Sequence, residues 1–328
     1  MVTISGPTLA RDSLVTVFGG SGFIGRYVVR ALAARGYRVR VACRRPDLAG
    51  FLQPAGNVGQ VQLVQANLRY QWSIDRAVEG SDAVVNLVGI LAEGGKQTFS
   101  AVQARGAGWV AQAAAKAKVP MVQMSAIGAA EASEASYAKT KARGEELVRE
   151  AVPGAIVLRP SIVFGPEDDF FNRFASMARF SPFLPLIGGG RTRFQPAYVG
   201  DIAEAVVQAV EGRMEPGSTW ELGGPEVLTF RQCLERMLEE IQRDRRFLTI
   251  PFPIASFMGK IMQILPGALL TVDQVEMLKE DNVVSKDAIE SGRTFTDLGI
   301  RPQGISAILP RYVVRFRKHG QFEANRGL

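Results

Sequence analysis

Ser125, Tyr137 and Lys141 are side chains whose types and spacing suit acid–base work on a carbonyl or hydroxyl. The tyrosine and lysine are four positions apart, so on a helix they share one face, with Cβ atoms about 6 Å apart. An ammonium beside a phenol favours the phenolate and draws a tyrosine down from about 10 towards the range of a working general acid or base. Ser125, at the end of an apolar run, is placed to hold a carbonyl or hydroxyl by hydrogen bonding. The same pair also occurs on ordinary helices as an exposed phenol beside a solvated lysine. A second segment, near the N-terminus, separates the two cases.

That segment runs from Val15 to Arg45 and reads as strand, glycine turn, helix and strand. The apolar Leu14–Phe18 leads into Gly19-Gly20-Ser21-Gly22-Phe23-Ile24-Gly25, and an apolar-periodic helix follows. Backbone N–H groups and the positive end of a helix dipole then point at one spot, which suits a pyrophosphate. Gly19 allows the tight turn, Gly22 the approach of phosphate to backbone, and Gly25 the packing of helix on strand. The second strand, Arg38–Cys43, ends in Arg44 and Arg45, where an NAD site usually carries a carboxylate for the ribose 2'-hydroxyl. Guanidiniums there suit a 2'-phosphate, so NADP(H) is the expected cofactor, with one of the two arginines turned away as a solvated charge. A nicotinamide so held gives the serine, tyrosine and lysine a hydride partner.

Apolar strands at Val61–Gln65, Ala83–Val88, Met121–Ser125 and Ala155–Arg159 alternate with helices at Trp72–Val78, around Phe99–Lys118 and at Tyr137–Ala151. Parallel strands need crossover connections, so this alternation implies a doubly wound α/β sheet of Rossmann type with helices on both faces. Residues 1–165 form the expected nucleotide-binding domain. The chain returns to it at about 195–225, through a helix at Asp201–Val210 and a strand at Thr219–Leu222, and 166–328 otherwise make a smaller mixed lobe. In that lobe Ile254–Leu265 is apolar on most sides and bounded by prolines; it reads as a core helix, or as one for a partner or a membrane surface. Ile305–Phe316 is a second amphipathic stretch.

The chain has 328 residues, of which 47% are hydrophobic and 22% charged, ordinary values for a globular protein. Cys43 and Cys233 are far apart, which suggests a reducing compartment, and His319 is the single histidine, which argues against a histidine-based triad or a zinc site. No metal is expected. The net charge of +7 gathers partly in 311–328, where five basic residues face only Glu323. Such a tail can touch an acidic lipid surface, a partner protein or nothing at all; no nucleic-acid-binding module accompanies it. Met1–Ser13 shows no targeting pattern, and no run of about 20 apolar residues is long enough to span a bilayer.

The GxxGxxG turn, Asn86-Leu87-Val88-Gly89, Ser125, Tyr137-x-x-x-Lys141 and Arg159-Pro160-Ser161-Ile162-Val163-Phe164-Gly165 together resemble the extended and atypical short-chain dehydrogenase/reductase superfamily over residues 14–225. The resemblance implies that Lys141 also binds the nicotinamide ribose and that the segment after Arg159 lines the nicotinamide. Asn67 stands where that superfamily commonly has an aspartate against the adenine; an amide still donates and accepts hydrogen bonds. The cofactor set so read is Gly19, Gly22, Phe23, Ile24, Gly25, Arg44, Arg45, Asn67, Leu68, Val88, Gly89, Tyr137, Lys141, Pro160 and Ile162.

Arg26-Tyr27-Val28-Val29, Gly165-Pro166-Glu167-Asp168 through Phe174-Ala175-Ser176-Met177, Gln195-Pro196-Ala197-Tyr198-Val199 and Pro251-Phe252-Pro253 are similar to the nucleotide-binding accessory subunits of respiratory complex I and their bacterial relatives. This narrower likeness runs through nearly the whole chain. It implies a tightly held NADPH, a structural or assembly role near the quinone-binding region, other complex I subunits as partners, and a peripheral place at the cytoplasmic face of a bacterial plasma membrane. The alternative is a free-standing NADP-dependent reductase or epimerase that uses Ser125, Tyr137 and Lys141.

Overall fold

Strand β1 (Leu14–Phe18) is buried along its whole length, which is why it reads as a continuous apolar run and not as an alternating one. In the computed structural model, which describes residues 9–263 and 270–318, it is an interior strand of a seven-stranded parallel sheet. Residues 1–8 of the N-terminal stretch, Leu265, His319, Glu323 and Arg326 lie outside the described residues.

The chain divides into two units. The first comprises Met1–Pro160, Gly200–Leu222 and Ser285–Arg301. Its elements run β1, α1 (Phe23–Ala34), β2 (Arg38–Cys43), β3 (Val61–Gln65), α2 (Gln71–Val78), β4 (Ala83–Asn86), a π-helical turn (Ser100–Arg105), α3 (Gly106–Ala117), β5 (Met121–Met124), α4 (Ser136–Ala151) and β6 (Ile156–Pro160). Strand Thr219–Leu222 pairs with β6 at one edge of the sheet, and the order continues β5, β4, β1, β2, β3. The order reverses between β1 and β4, the switch point outside whose strand ends open α/β sheets place their ligands. Phe18, Ile74, Val84, Val110, Met121 and Val148 build the core between strands and helices. Among the described residues no helix is long and apolar enough to cross a membrane.

Several boundaries differ from the sequence pattern for local reasons. Strand β4 stops at Asn86 and not Val88, because the Asn86 side-chain oxygen accepts from the Val88 N–H and turns the chain. The long helix expected around Phe99–Lys118 begins as the π-helical turn Ser100–Arg105. There the Gln103 carbonyl faces Gly144 of α4 so closely that a Cβ on Gly144 would stand 2.2 Å from it. Lys118, with φ of 57°, ends α3 in the left-handed conformation.

The second unit comprises Ser161–Val199, Gly223–Val284 and Pro302–Leu328. It is mixed: Phe183–Ile187 pairs in parallel with Arg246–Ile250, whereas Arg193–Phe194 pairs antiparallel with Leu228–Thr229. Phe170 joins its aromatic core, with ring centroids 5.0 Å from Phe171 and 5.4 Å from Phe174. Ile305–Phe316 folds as short turns, Ile305–Ile308, Pro310–Val313 and Val314–Phe316, with Ile305, Ile308, Leu309, Tyr312, Val313 and Phe316 all buried. The Tyr312 hydroxyl meets the buried Asp168 carboxylate at 2.5 Å, so the acidic loop before helix Phe170–Phe180 is tied to the C-terminal turns.

Candidate functional site

The glycine turn joins β1 to α1 through a Gly22 N–H to Gly19 carbonyl bond of 3.0 Å. Gly19 has φ of +77°, and a side chain there would press on Val88 at 3.2 Å. A Cβ on Gly25 would stand 2.2 Å from the Gly19 carbonyl and 2.5 Å from Gly20 Cα, so only glycine lets α1 sit against the turn. At Gly22 the nearest neighbour of a Cβ is the Gly19 carbonyl at 3.3 Å. Helix α1 buries Gly25, Val28, Val29, Leu32 and Ala33 at helical spacing, and Gly22, its N-cap, has no side chain to cap it. No acidic residue lies in the first turn, so an anion at this terminus meets uncapped N–H groups and the helix dipole without competition, and Phe23 and Ile24 supply the first of those groups.

Arg44 and Arg45 follow β2 and are both exposed. Arg45 is gripped by Asp47, with its Nε 3.0 Å from Oδ1 and a terminal nitrogen 2.7 Å from Oδ2. Arg44 forms no ion pair among the described residues. Asp47 was not singled out from the sequence, although its place two residues beyond Arg45 is the signal that finds the pair. Beyond β3, the Asn67 side chain accepts from the Arg69 N–H at 3.1 Å and shapes the turn, while Leu68 is buried in the core.

Lys141 is buried on α4 and its Nζ donates to the Met124 main-chain oxygen at 3.2 Å. A Cβ on Gly89 would lie 3.2 Å from that Nζ, so the loop after β4 comes directly over the lysine. Burial pushes the ammonium down from 10.5 to about 8, against the attraction of Glu145 one turn along. The Lys141 Nζ lies 5.9 Å from the Tyr137 ring centroid, and that ring packs edge-on against Phe99 at 5.9 Å. The spacing of four therefore does put phenol and ammonium on one face. Ser125 is buried, and its hydroxyl finds no hydrogen-bond partner among the described residues. Pro160 closes β6, with its carbonyl accepting from the Ile127 N–H at 2.9 Å. Ile162 belongs to the second unit, where Asn282 and Ala197 bond its main chain.

Two features behind this face escaped the sequence. Buried amides link neighbouring strands: Asn86 Nδ2 donates to Gln123 Oε1 at 2.9 Å, and Gln123 Nε2 donates to the same Met124 oxygen that holds Lys141. Glu145 accepts two bonds from Arg159, at 2.9 and 2.7 Å, and lies 3.4 Å from Arg149. The signal for the second was the repeat of four from Tyr137 to Lys141 to Glu145.

A Rossmann sheet with an uncapped glycine turn at its switch point defines the class of the fold, that of the short-chain dehydrogenase/reductase type. The chain belongs to the NAD dependent epimerase/dehydratase family, whose model matches residues 15–223, and within it to the family of the NADH dehydrogenase [ubiquinone] 1 alpha subcomplex subunit 9. The subunit of that name from Arabidopsis thaliana, a mitochondrial protein, is 34% identical over 94% of this chain and 79% of its own length. The mitochondrial NADH-ubiquinone oxidoreductase 40 kDa subunit of Neurospora crassa is 31% identical over 94% of this chain and 80% of its own. A ceramide reductase of Caulobacter vibrioides is 32% identical over 59% of this chain and 60% of its own. Among solved structures, the dTDP-glucose 4,6-dehydratase DesIV of Streptomyces venezuelae, with NAD and TYD bound, superposes with a TM-score of 0.70 at 21% identity, covering 96% of this chain and 98% of that one. At that identity the likeness bears on the fold.

Proposed function

We propose that this chain is a nucleotide-holding accessory subunit of respiratory complex I, with a structural or assembly role near the quinone-site region. The observation that carries the reading is the likeness to the plant and fungal subunits over nearly the whole chain, the second unit included. Other complex I subunits are then its partners, and its association with the membrane is peripheral. A bacterial setting, at the cytoplasmic face of the plasma membrane, is part of the proposal only through the sequence resemblance; the two subunit relatives named above are mitochondrial.

The residues present fit a dinucleotide. Gly19, Gly22 and Gly25, with the N–H groups of Phe23 and Ile24, would hold its pyrophosphate at the start of α1. Arg44, without a carboxylate partner, would take a 2'-phosphate, which favours NADP(H); Arg45 would reach it only by leaving Asp47. Asn67 and Leu68 would border the adenine, Val88 and Gly89 would lie along the nicotinamide half, and Tyr137 and Lys141 would hold its ribose. Pro160 and Ile162 complete the set by resemblance. A bound nicotinamide supplies hydride chemistry, and in this reading it is held and not turned over. Gentle detergent extraction of native membranes tests this. Co-migration of the chain with the large complex, carrying stoichiometric unexchanged NADP(H), is expected; a chain that never travels with an otherwise intact complex ends the reading.

A second reading, a free-standing NADP-dependent reductase or epimerase, draws on the buried Ser125 hydroxyl, which has no hydrogen-bond partner among the described residues. Tyr137→Phe keeps the packing volume and deletes the hydroxyl. Loss of turnover with retained cofactor supports that reading, and indifference of every cellular function removes it.

A further inference from the structure

Helix Phe252–Met262, in the second unit, is built the reverse way round from an ordinary surface helix. Ala255 and Gly259 are its buried residues, and Ala255 packs beside Ile187 and Val275. Gly259 is needed there, because a Cβ would stand 2.9 Å from the Val272 nitrogen. The large apolar side chains are on another face. Ile254, Phe257, Met258 and Ile261, at i, i+3, i+4 and i+7, are 54%, 65%, 36% and 54% exposed. The strand that feeds this helix, Arg246–Ile250, exposes Leu248 in register with Pro185, and its partner strand begins at the exposed Phe183. Phe180, at the end of the preceding helix, is also exposed.

The charge around these residues is mainly basic. Residues 179–191 and 243–263 hold Arg179, Arg191, Arg243, Arg245, Arg246 and Lys260 against Asp244 alone, and helix Val272–Met277, whose start packs on Gly259, adds Asp273 and Glu276. Arg179 lies over the Phe180 ring at 5.4 Å, and Arg245 donates to the Ala178 carbonyl at 2.7 Å, so both cations are fixed beside exposed aromatic surface. Arg243 is held below the usual guanidinium range by burial and then by the repulsion of Arg245 and Arg179.

We infer that the Ile254, Phe257, Met258 and Ile261 stripe, with its bordering arginines and Lys260, is the contact surface of this chain for an anionic lipid bilayer. A helix with an apolar face and basic flanks lies in the plane of the headgroups, sinks the apolar face to the acyl boundary and gains from each cation near anionic lipid. Eleven helical residues are too few to span, so the contact is monotopic. A protein partner is the weaker match, since the cores of protein interfaces are depleted in charge and a mainly basic rim needs an acidic surface opposite it. The inference stands on the second unit alone and does not depend on nucleotide binding or on the subunit reading.

Co-sedimentation of the full chain with vesicles of phosphatidylcholine, and of phosphatidylcholine mixed equally with phosphatidylglycerol, tests it. The wild-type chain is expected to bind the mixed vesicles at least about tenfold more tightly, and added salt to weaken the binding. The double variant Phe257→Asp, Ile261→Asp should fall to the level of phosphatidylcholine alone. Arg246→Gln and Lys260→Gln, both at exposed positions, should each lose about fivefold; they decide the matter should the aspartate pair fail to fold. Equal binding to both vesicles, or full binding by folded Phe257→Asp, Ile261→Asp, overturns the inference. So does absence of vesicle binding together with a dimer, or a hold on complex I, that the aspartate pair abolishes, since the stripe then belongs to a second copy or to a protein. Bound nucleotide, read in the same samples, separates failure here from failure of the function proposed above.

Discussion

Lys141 Nζ is held 3.2 Å from the main-chain oxygen of Met124, the residue immediately before Ser125. The bond fixes the ammonium at the end of β5, under Gly89, and gives it a partner that never titrates. Burial still outweighs that partner and Glu145, and the lysine sits at about 8.

The sign of the resulting pH dependence follows directly. A lysine lowered from 10.5 to about 8 on folding leaves the unfolded chain holding the extra proton between those values, so stability rises with pH across that window. Below about 8 the cost of keeping the buried ammonium is present in full, on the order of a few kcal/mol. Lys141→Met should therefore stabilise the nucleotide-free chain at pH 7. The Met124 oxygen keeps its bond from Gln123, so little is left unsatisfied. Urea unfolding from pH 7 to 10.5 should show the advantage shrinking as pH rises; a constant difference would mean that the lysine is not the titrating group.

Gly22 and Gly25 separate binding from folding. Gly25→Ala puts a methyl 2.2 Å from the Gly19 carbonyl and should cost at least about 3 kcal/mol. Gly22→Ala meets only a contact of 3.3 Å, so the fold should persist while the methyl stands in the path of the phosphates. Thermal melts and calorimetric titration with NADPH distinguish the two, and a Gly22→Ala chain that binds as wild type would remove the pyrophosphate from this turn.

Arg44 and Arg45 are adjacent in sequence but differ in their partners. Arg44→Ala should weaken NADPH binding at least about tenfold and leave NADH unchanged, the loss of a charge-assisted phosphate contact. Asp47→Ala releases Arg45, and NADPH should then bind as tightly as before or more so. Equal affinity of the wild-type chain for both nucleotides would exclude the 2'-phosphate role.

The sheet was legible because each strand's pattern is local: β1, β2, β3 and the strand Thr219–Leu222 fall on the residues that the apolar runs marked. The glycine turn and the Tyr137–Lys141 face were legible for the same reason, as short-range geometry on one helix. Long-range contacts were not. The π-helical turn depends on how closely Gly144 lets α4 approach Gln103, which no spacing in 99–118 encodes. For Ile254–Leu265 the composition marked an apolar helix, but only packing reveals that Ala255 and Gly259 face inward while the bulky residues face out.

Glu145 supports the site from behind. Its carboxylate is buried, carries two bonds from Arg159, and attracts Lys141. Glu145→Gln removes the charge and leaves the half-buried Arg159 guanidinium with Glu221, at 3.9 Å, as its remaining carboxylate, at a cost of about 1–3 kcal/mol. Adding Arg159→Met removes the stranded cation as well, so the double variant should be more stable than Glu145→Gln alone, and a double-mutant cycle in urea measures the coupling. The lysine gives a separate readout. Without the carboxylate, burial acts on Lys141 unopposed and its pKa should fall below about 8, seen by NMR of lysine labelled at Cε. A purely structural ion pair would lower stability and leave that titration where it was; a shift of the titration makes Glu145 a positioning residue for the ammonium beside Tyr137.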